Sequence, residues 1–408
     1  MNYSEAVKKL DNYVRLAGVK PGLQRITCLL GLLRNPQAEI PAIHIAGTNG
    51  KGSVTLMTTN VLRECDYRVG TYLSPHLVEY TERFLLNGKE ITKTDFARIF
   101  TRVDKMARRV KGITEFEILT AMAFIYFQEQ KVDIAVLETG LGGRYDATNV
   151  CRPVLVIITP ISYDHEAVLG NTLAKIAGEK AGIIKKNIPV ASAAQEPEAM
   201  RVILNQVEKY ENEFKVVTHP LKFKLQLSGR MQNYNAALVL EAMRLLMTKN
   251  FYIPRRLILN GIQKTIVPAR LQQWQDNPPF FVDVAHNPQS FQNLVTVLAQ
   301  KHPFRPIVLV LGLMKRKNLP KILEGLKDKI DLLIAVDLPD DSYSAAEIAQ
   351  SAKAIGINTQ CQSNIFLACE LARKEAKNRR GIAAAAGSFC VAGAIFRKYK
   401  LPRNISVL

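Results

Sequence analysis

Ala42-Ile43-His44-Ile45-Ala46-Gly47-Thr48-Asn49-Gly50-Lys51-Gly52-Ser53 is the stretch that decides the fold. Its first five residues suit a buried strand, the glycines that follow suit a tight turn, and residues 51–63 carry a helical pattern. A strand feeding a glycine turn feeding a helix turns backbone N–H groups and the positive helix end towards an anion, phosphate above all. Lys51 is placed to reach the outer phosphates, and Ser53 to offer its hydroxyl to Mg²⁺. The general pattern GxxxxGK[ST] is not met, because Ile45 stands where its first glycine would be and Gly52 follows the lysine. A lone glycine–lysine loop is often only a turn; here the strand–loop–helix context carries the expectation of a bound nucleotide.

Working outward, short apolar runs alternate with longer amphipathic segments. Residues 132–137, 154–158 and 189–192 read as buried strands, and residues 116–129 and 173–184 as helices. This rhythm predicts an α/β protein with a mainly parallel sheet. It restarts after Val267-Pro268, with strands expected at 280–284, 306–311, 332–336 and 382–385. Two domains follow, residues 1–266 and 269–408, with a ligand expected in the cleft between them. The uncharged stretch 381–396 is too short for a membrane span, which needs about 20 residues. Its Gly387-Ser388 break suits a strand, a turn and a helix start.

The chain has 408 residues, 48% of them hydrophobic, which suits a soluble protein with full-sized cores. Lys plus Arg number 55 against 36 Asp plus Glu, a net charge of +19 that favours anionic partners. The basic runs, among them Lys315-Arg316-Lys317, have no interleaved aromatics and read as solvated faces, so neither a nucleic acid nor a membrane is expected as partner. None of the six cysteines forms a CxxC pair, and MNYSEAVKKLDNYV reads as an amphipathic helix without a signal-peptide core. A cytoplasmic setting is expected.

The loop GTNGKGS is of the kind found in Mur ligases, and the chain resembles the folylpolyglutamate synthase and dihydrofolate synthase family within that superfamily. The resemblance runs through Tyr72-Leu73-Ser74-Pro75-His76-Leu77, Glu82-Arg83, Phe116-Glu117, Glu138-Thr139-Gly140-Leu141-Gly142-Gly143-Arg144, Asp146-Ala147-Thr148-Asn149, Asp164-His165, Glu179-Lys180-Ala181-Gly182, Asp283-Val284-Ala285-His286-Asn287-Pro288 and Gly387-Ser388-Phe389. Each block is weak alone; their order and spacing are specific. The resemblance implies a Mur-ligase-like phosphate-loop ATPase domain followed by a smaller Rossmann-like C-terminal domain. It implies an ATP-dependent ligase, acting as a monomer, that joins L-glutamate to a folate or to dihydropteroate through an acyl phosphate.

Residue roles follow from the same resemblance. ATP would be held by Gly47, Thr48, Asn49, Gly50, Lys51, Gly52 and Ser53, by Asn235 near the adenine, and by Arg270, Asp283 and His286. Two Mg²⁺ ions would be held through Ser74, Glu138 and His165, with a monovalent cation as a further candidate. An acid at the carboxyl end of a strand facing a phosphate loop suits a hard cation, though without context such a glutamate is a solvated strand cap. Lys180 would be carbamylated and catalytic beside Lys51 and His165; its plainer reading is a surface lysine paired with Glu179. Phe116, Arg144, Asp146 and Ala147 would line the pterin or glutamate site, although Phe116 equally suits a core position at a helix start. Four positions depart from the family pattern: Ala269 for Gly, Met231 for His, Lys315-Arg316-Lys317-Asn318 for Lys-Asp-Lys-Asp, and no Arg within residues 338–342. Rival readings are a ligase for another carboxylic acid and a non-catalytic nucleotide or nucleic-acid binder.

Overall fold

The computed structural model describes residues 1–13, 21–339 and 341–402. Val14, Asp340 and residues 403–408, which enter the expectations above, lie outside them. Among the described residues, fourteen strands form two sheets. The first contains β1 (Pro41–Ala46), β2 (Val69–Tyr72), β3 (Phe84–Leu86), β4 (Lys89–Glu90), β5 (Ile134–Glu138), β6 (Arg152–Ile158), β7 (Val190–Ala193) and β8 (Phe214–Val217). Their order is β4-β3-β2-β5-β1-β6-β7-β8, parallel except for the hairpin β3–β4 and its join to β2. The second contains β9 (Gln272–Asp276), β10 (Pro279–Val282), β11 (Ile307–Leu311), β12 (Leu332–Ala335), β13 (Thr359–Cys361) and β14 (Ile382–Ala386). Its order is β13-β12-β11-β14-β10-β9, with only β9 antiparallel.

The central strands are apolar on both faces because helices cover both. Along β1, Ala42 packs into one core while Ile43 and Ile45 pack into the opposite one. The helix Glu115–Glu129 lies on the first side and the helices Lys51–Glu64 and Arg230–Met247 on the second. Local signals start several helices. Thr114 and Glu117 form a reciprocal cap, as do Ser344 with Glu347 and Asn287 with Ser290. The expected helix 173–184 ends at Ala181, since Gly182 caps it and packs against Arg144. Open parallel sheets offer ligand sites at the carboxyl ends of their strands. Register places Glu138 of β5 level with Ile45, two residues before Gly47, so an acid flanks the phosphate loop.

The second sheet's layer is seated on the first at several points. The helix Phe389–Tyr399 meets the loop after Ser74 at Gly393, where a Cβ would come within 2.0 Å of the Leu77 carbonyl oxygen. Arg397 donates to the Val78 carbonyl nearby (3.2 Å). Further contacts, through Asn49 and Asp164, are described below. The backbone at Ala269 shows why a glycine would suit that position: it is fully buried with φ +55, a left-handed conformation costing a residue with a side chain about 1–2 kcal/mol.

Candidate active site

The phosphate loop leaves β1 at Gly47 and enters its helix through Gly50. Two features require glycine there: a φ of +89, and the Asn235 side chain, whose Oδ1 would lie only 2.8 Å from any Cβ at that position. Thr48 and Asn49 donate their backbone N–H groups to the Pro160 carbonyl (2.9 and 3.2 Å). Thr48 Oγ1 donates to the Ser162 carbonyl (3.1 Å) and so ties the loop to the segment after β6.

Two lysines converge on the Gly47 carbonyl. Lys51 Nζ donates to it at 3.2 Å and to the Thr48 carbonyl at 3.3 Å. Lys180 Nζ donates to it at 2.7 Å. Lys180 is therefore not the surface partner of Glu179, which pairs instead with Arg144 (3.5 Å). Burial, then the charge of Lys51, brings the Lys180 amine down to about 7.

Glu138 faces this loop beside Gly52 and accepts from the Ser74 backbone N–H (3.3 Å). Burial pushes its carboxyl up to about 7, against the lowering effect of Lys51, the Ser74 N–H and Arg270. Ser53 Oγ and Ser74 Oγ are buried without a hydrogen-bond partner. A buried carboxylate at the backbone of Ser74 and Gly52, with the unpartnered hydroxyls of Ser74 and of Ser53, the residue after Gly52, offers only hard oxygens and fits Mg²⁺. Among the described residues no three His, Cys, Asp or Glu side chains cluster as metal ligands. The expected metal residues divide accordingly: Ser74 stands with Glu138, whereas His165 stands with Asp164 and Lys317. Mg²⁺ keeps several waters and phosphate oxygens as ligands, so few protein donors suffice.

Across the cleft, Lys317 Nζ donates to Asp164 Oδ1 (2.7 Å) and lies 3.4 Å from His165 Nε2. His286 Nδ1 donates to the Val284 carbonyl (2.7 Å), while its Nε2 faces Asp164 Oδ2 at 3.5 Å. Burial alone would raise the Asp164 carboxyl; His286 and Lys317 outweigh it and hold Asp164 well below the usual carboxylate range. Burial, then the Lys317 charge, lowers His165 to about 3, so its imidazole is neutral and keeps a lone pair. These groups line a cavity of about 290 Å³ together with Tyr163 and Arg316. A slightly larger cavity, about 320 Å³, lies by Arg63 and Lys264 at the far end of the helix Lys51–Glu64, away from the phosphate loop and the strand ends.

The remaining expected residues are distributed around this centre. Arg270 is near enough to act electrostatically on both Glu138 and Asp283. Both Asp283 oxygens accept backbone N–H groups, from Leu271 (2.8 Å) and Ala285 (2.7 Å). Asn235 donates to Gln232 Oε1 (3.0 Å) beneath Gly50. The Phe116 ring lies against Gly140 and 5.9 Å from the Tyr72 ring, half-buried at its helix start. Arg144 is half-exposed and donates to the Gly178 carbonyl (3.2 Å). Asp146 is buried and accepts from the Gly140, Leu141 and Thr148 N–H groups (2.9, 2.9 and 3.0 Å), so its carboxylate shapes the loop after Glu138. Ala147 is buried in the short helical turn that follows. Thr148 also meets fully buried His44 of β1 (2.8 Å).

Comparison with known proteins adds an independent line. A family model described as "Mur ligase, glutamate ligase domain" matches residues 269–389. The dihydrofolate synthase/folylpolyglutamate synthase of Bacillus subtilis is 37% identical over 374 residues, covering 81% of this chain and 86% of that protein. The folylpolyglutamate synthase of Lacticaseibacillus casei is 30% identical, covering 86% and 89%. Among solved structures, Mycobacterium tuberculosis folylpolyglutamate synthase complexed with ADP and AMPPCP superposes with a TM-score of 0.90 at 28% identity, covering 98% and 100% of the two chains. Escherichia coli FolC in complex with DHPP and ADP gives 0.89 at 26% identity, covering 98% of each. Among the described residues no helix is long and apolar enough to cross a membrane.

Proposed function

Because the chain belongs to the dihydrofolate synthase/folylpolyglutamate synthase family, whose members are ATP-dependent ligases forming carbon–nitrogen bonds, we propose that its inter-domain cleft activates a folate-type carboxylate with ATP and joins it to L-glutamate. The acceptor is a folate, dihydropteroate, or both. The observation that carries this reading is the meeting at one cleft of a lysine-bearing phosphate loop, Glu138 bonded to the Ser74 N–H and facing Gly52, and Lys317 from the other sheet.

In the first step a carboxylate oxygen of the acceptor forms a bond to the γ-phosphorus of ATP as the bond to the ADP oxygen breaks. Lys51 and the backbone N–H groups at the start of its helix stabilise the charge gathering on the phosphate oxygens. In the second step the amine of glutamate attacks the acyl carbon, loses its proton, and expels phosphate. Glu138 with Ser53 and Ser74, and His165 beside Asp164, would hold Mg²⁺, which supplies screening of the repulsion between carboxylate and triphosphate. Neutral His165 and ionised Asp164 suit that role, since both present lone pairs. The cavity beside Lys317 and Arg316 would take glutamate, its carboxylates drawn by those cations. Lys180 would carry a carbamate: carbon dioxide adds to a neutral amine, and an amine lowered to about 7 is largely neutral at slightly alkaline pH. Asn235, Arg270, Asp283 and His286 would surround the nucleotide, and Phe116 would offer a face to a pterin.

Phosphate release from ATP tests the reading. It should depend on both glutamate and an acceptor, and comparing dihydropteroate with tetrahydrofolate identifies the acceptor. ATP turnover indifferent to both would overturn it.

A further inference from the structure

One residue of the phosphate loop is bonded by side chain to the second sheet's layer. Asn49 Oδ1 accepts from Asn287 Nδ2 (3.0 Å), and Asn49 Nδ2 donates to Gln289 Oε1 (2.7 Å) and to Ser162 Oγ (3.2 Å). The direction of this chain is forced. Asn287 caps the helix Pro288–Lys301, and its Oδ1 accepts from the Ser290 backbone N–H (2.9 Å), a group that can only donate. Asn287 must therefore turn its NH₂ outward, which makes Asn49 Oδ1 the acceptor and leaves Asn49 Nδ2 to donate. Position 289 completes the chain only if it presents an acceptor. Asn287 is buried and also reaches Asp164 Oδ2 at 3.4 Å, so the network touches the ion pair at the cleft.

Asn49 immediately precedes Gly50 and Lys51. Holding its side chain fixes the Asn49–Gly50 peptide, which leads into the capping residue of the helix that carries Lys51. We propose that Gln289 is a positioning residue for this reaction: by accepting from Asn49 it couples docking of the second domain to the geometry of the phosphate loop. An empty loop paired with an undocked second domain lacks this bond, so the loop is completed only when both halves of the cleft are in place. The consequence for catalysis rests on the ligase reading above; the coupling itself does not.

The experiment compares Gln289→Met, which removes the acceptor at similar volume, with Gln289→Glu, which keeps one. In Gln289→Met, kcat should fall roughly 3- to 10-fold, the range one net hydrogen bond supplies, while KM for ATP changes less than about twofold. Gln289→Glu should stay within about twofold of the parent in both. The effects of Asn49→Ala and Gln289→Met should be non-additive, since they delete the same bond. Backbone hydrogen exchange of residues 48–51 in the full chain without nucleotide gives a readout independent of ligation: Gln289→Met should quicken it and Gln289→Glu should not. Unchanged exchange in Gln289→Met, or equal losses in both variants, overturns the proposal. A parent protein without ligation, whose exchange nonetheless responds to Gln289→Met, would overturn the ligase reading and leave the coupling standing.

Discussion

Lys317 and Asp164 form an ion pair 2.7 Å long between the two halves of the molecule, each side chain less than a tenth exposed. Asp164 follows β6 of the first sheet, and Lys317 follows β11 of the second. Removing one member of such a pair strands an uncompensated buried charge, at a cost of about 3–5 kcal/mol. The pair therefore holds the cleft in register and fixes the charge beside His165.

Lys317→Met is expected to lower stability by about 3 kcal/mol and to abolish ligation. Adding Asp164→Asn should recover most of the stability, because the stranded charge is gone, without recovering turnover. Denaturant titration and phosphate release check the two halves of this expectation; recovery of both would reduce the pair to a structural clamp.

Lys51 donates its ammonium hydrogens to carbonyls of its own loop. Lys51→Ala should leave stability within about 1 kcal/mol of the parent, as a loss of partly exposed hydrogen bonds does. ATP-dependent ligation should fall below detection. Turnover close to that of the parent would refute the assignment of the loop.

His44 gives a pH signature separate from the cleft. It is fully buried, and burial, then the charge of Lys185, lowers its imidazole to about 3 from 6.5. The unfolded chain takes up this proton below about pH 6.5 and the folded chain does not, so its contribution is intact above that pH and is lost as pH falls towards 3. Relative to His44→Gln, the parent should lose on the order of 2 kcal/mol between pH 7 and pH 5. Parallel stability curves for the two proteins would contradict this, since they require His44 to titrate alike in the folded and unfolded chains.

Lys180 should give a carbamate signal with ¹³C-labelled bicarbonate, absent in Lys180→Ala. That variant should regain part of its activity with a short carboxylic acid in the buffer, since the missing group is an anion. Absence of both signal and rescue would leave Lys180 as a plain amine holding Gly47.

Much of this architecture was legible because buried parallel strands are continuous apolar runs. Residues 154–158 and 306–311 read as strands and match β6 and β11 to within two residues at each end. The hairpin β3–β4 was not legible, since strands of three and two residues carry too little periodicity. Lys180 had a signal that the motif reading passed over: Leu173, Ile176, Ala177, Lys180 and Ala181 share one buried helical face, so a core lysine followed from spacing alone. Lys317 had none. Within Lys315-Arg316-Lys317 it looks solvated, and only the docking of the second sheet's layer buries it against Asp164. Gln289 was equally silent, because an exposed glutamine one residue inside a helix gains meaning only from Asn49 across the cleft.

The most direct test of the central claim uses an acceptor labelled with ¹⁸O in the carboxylate that becomes the amide, incubated with ATP and L-glutamate. If that carboxylate attacks the γ-phosphorus, one of its oxygens leaves with the phosphate, and the released phosphate should carry a single ¹⁸O for each amide formed. Amide formation with unlabelled phosphate would contradict an acyl phosphate and, with it, the chemistry assigned to this cleft.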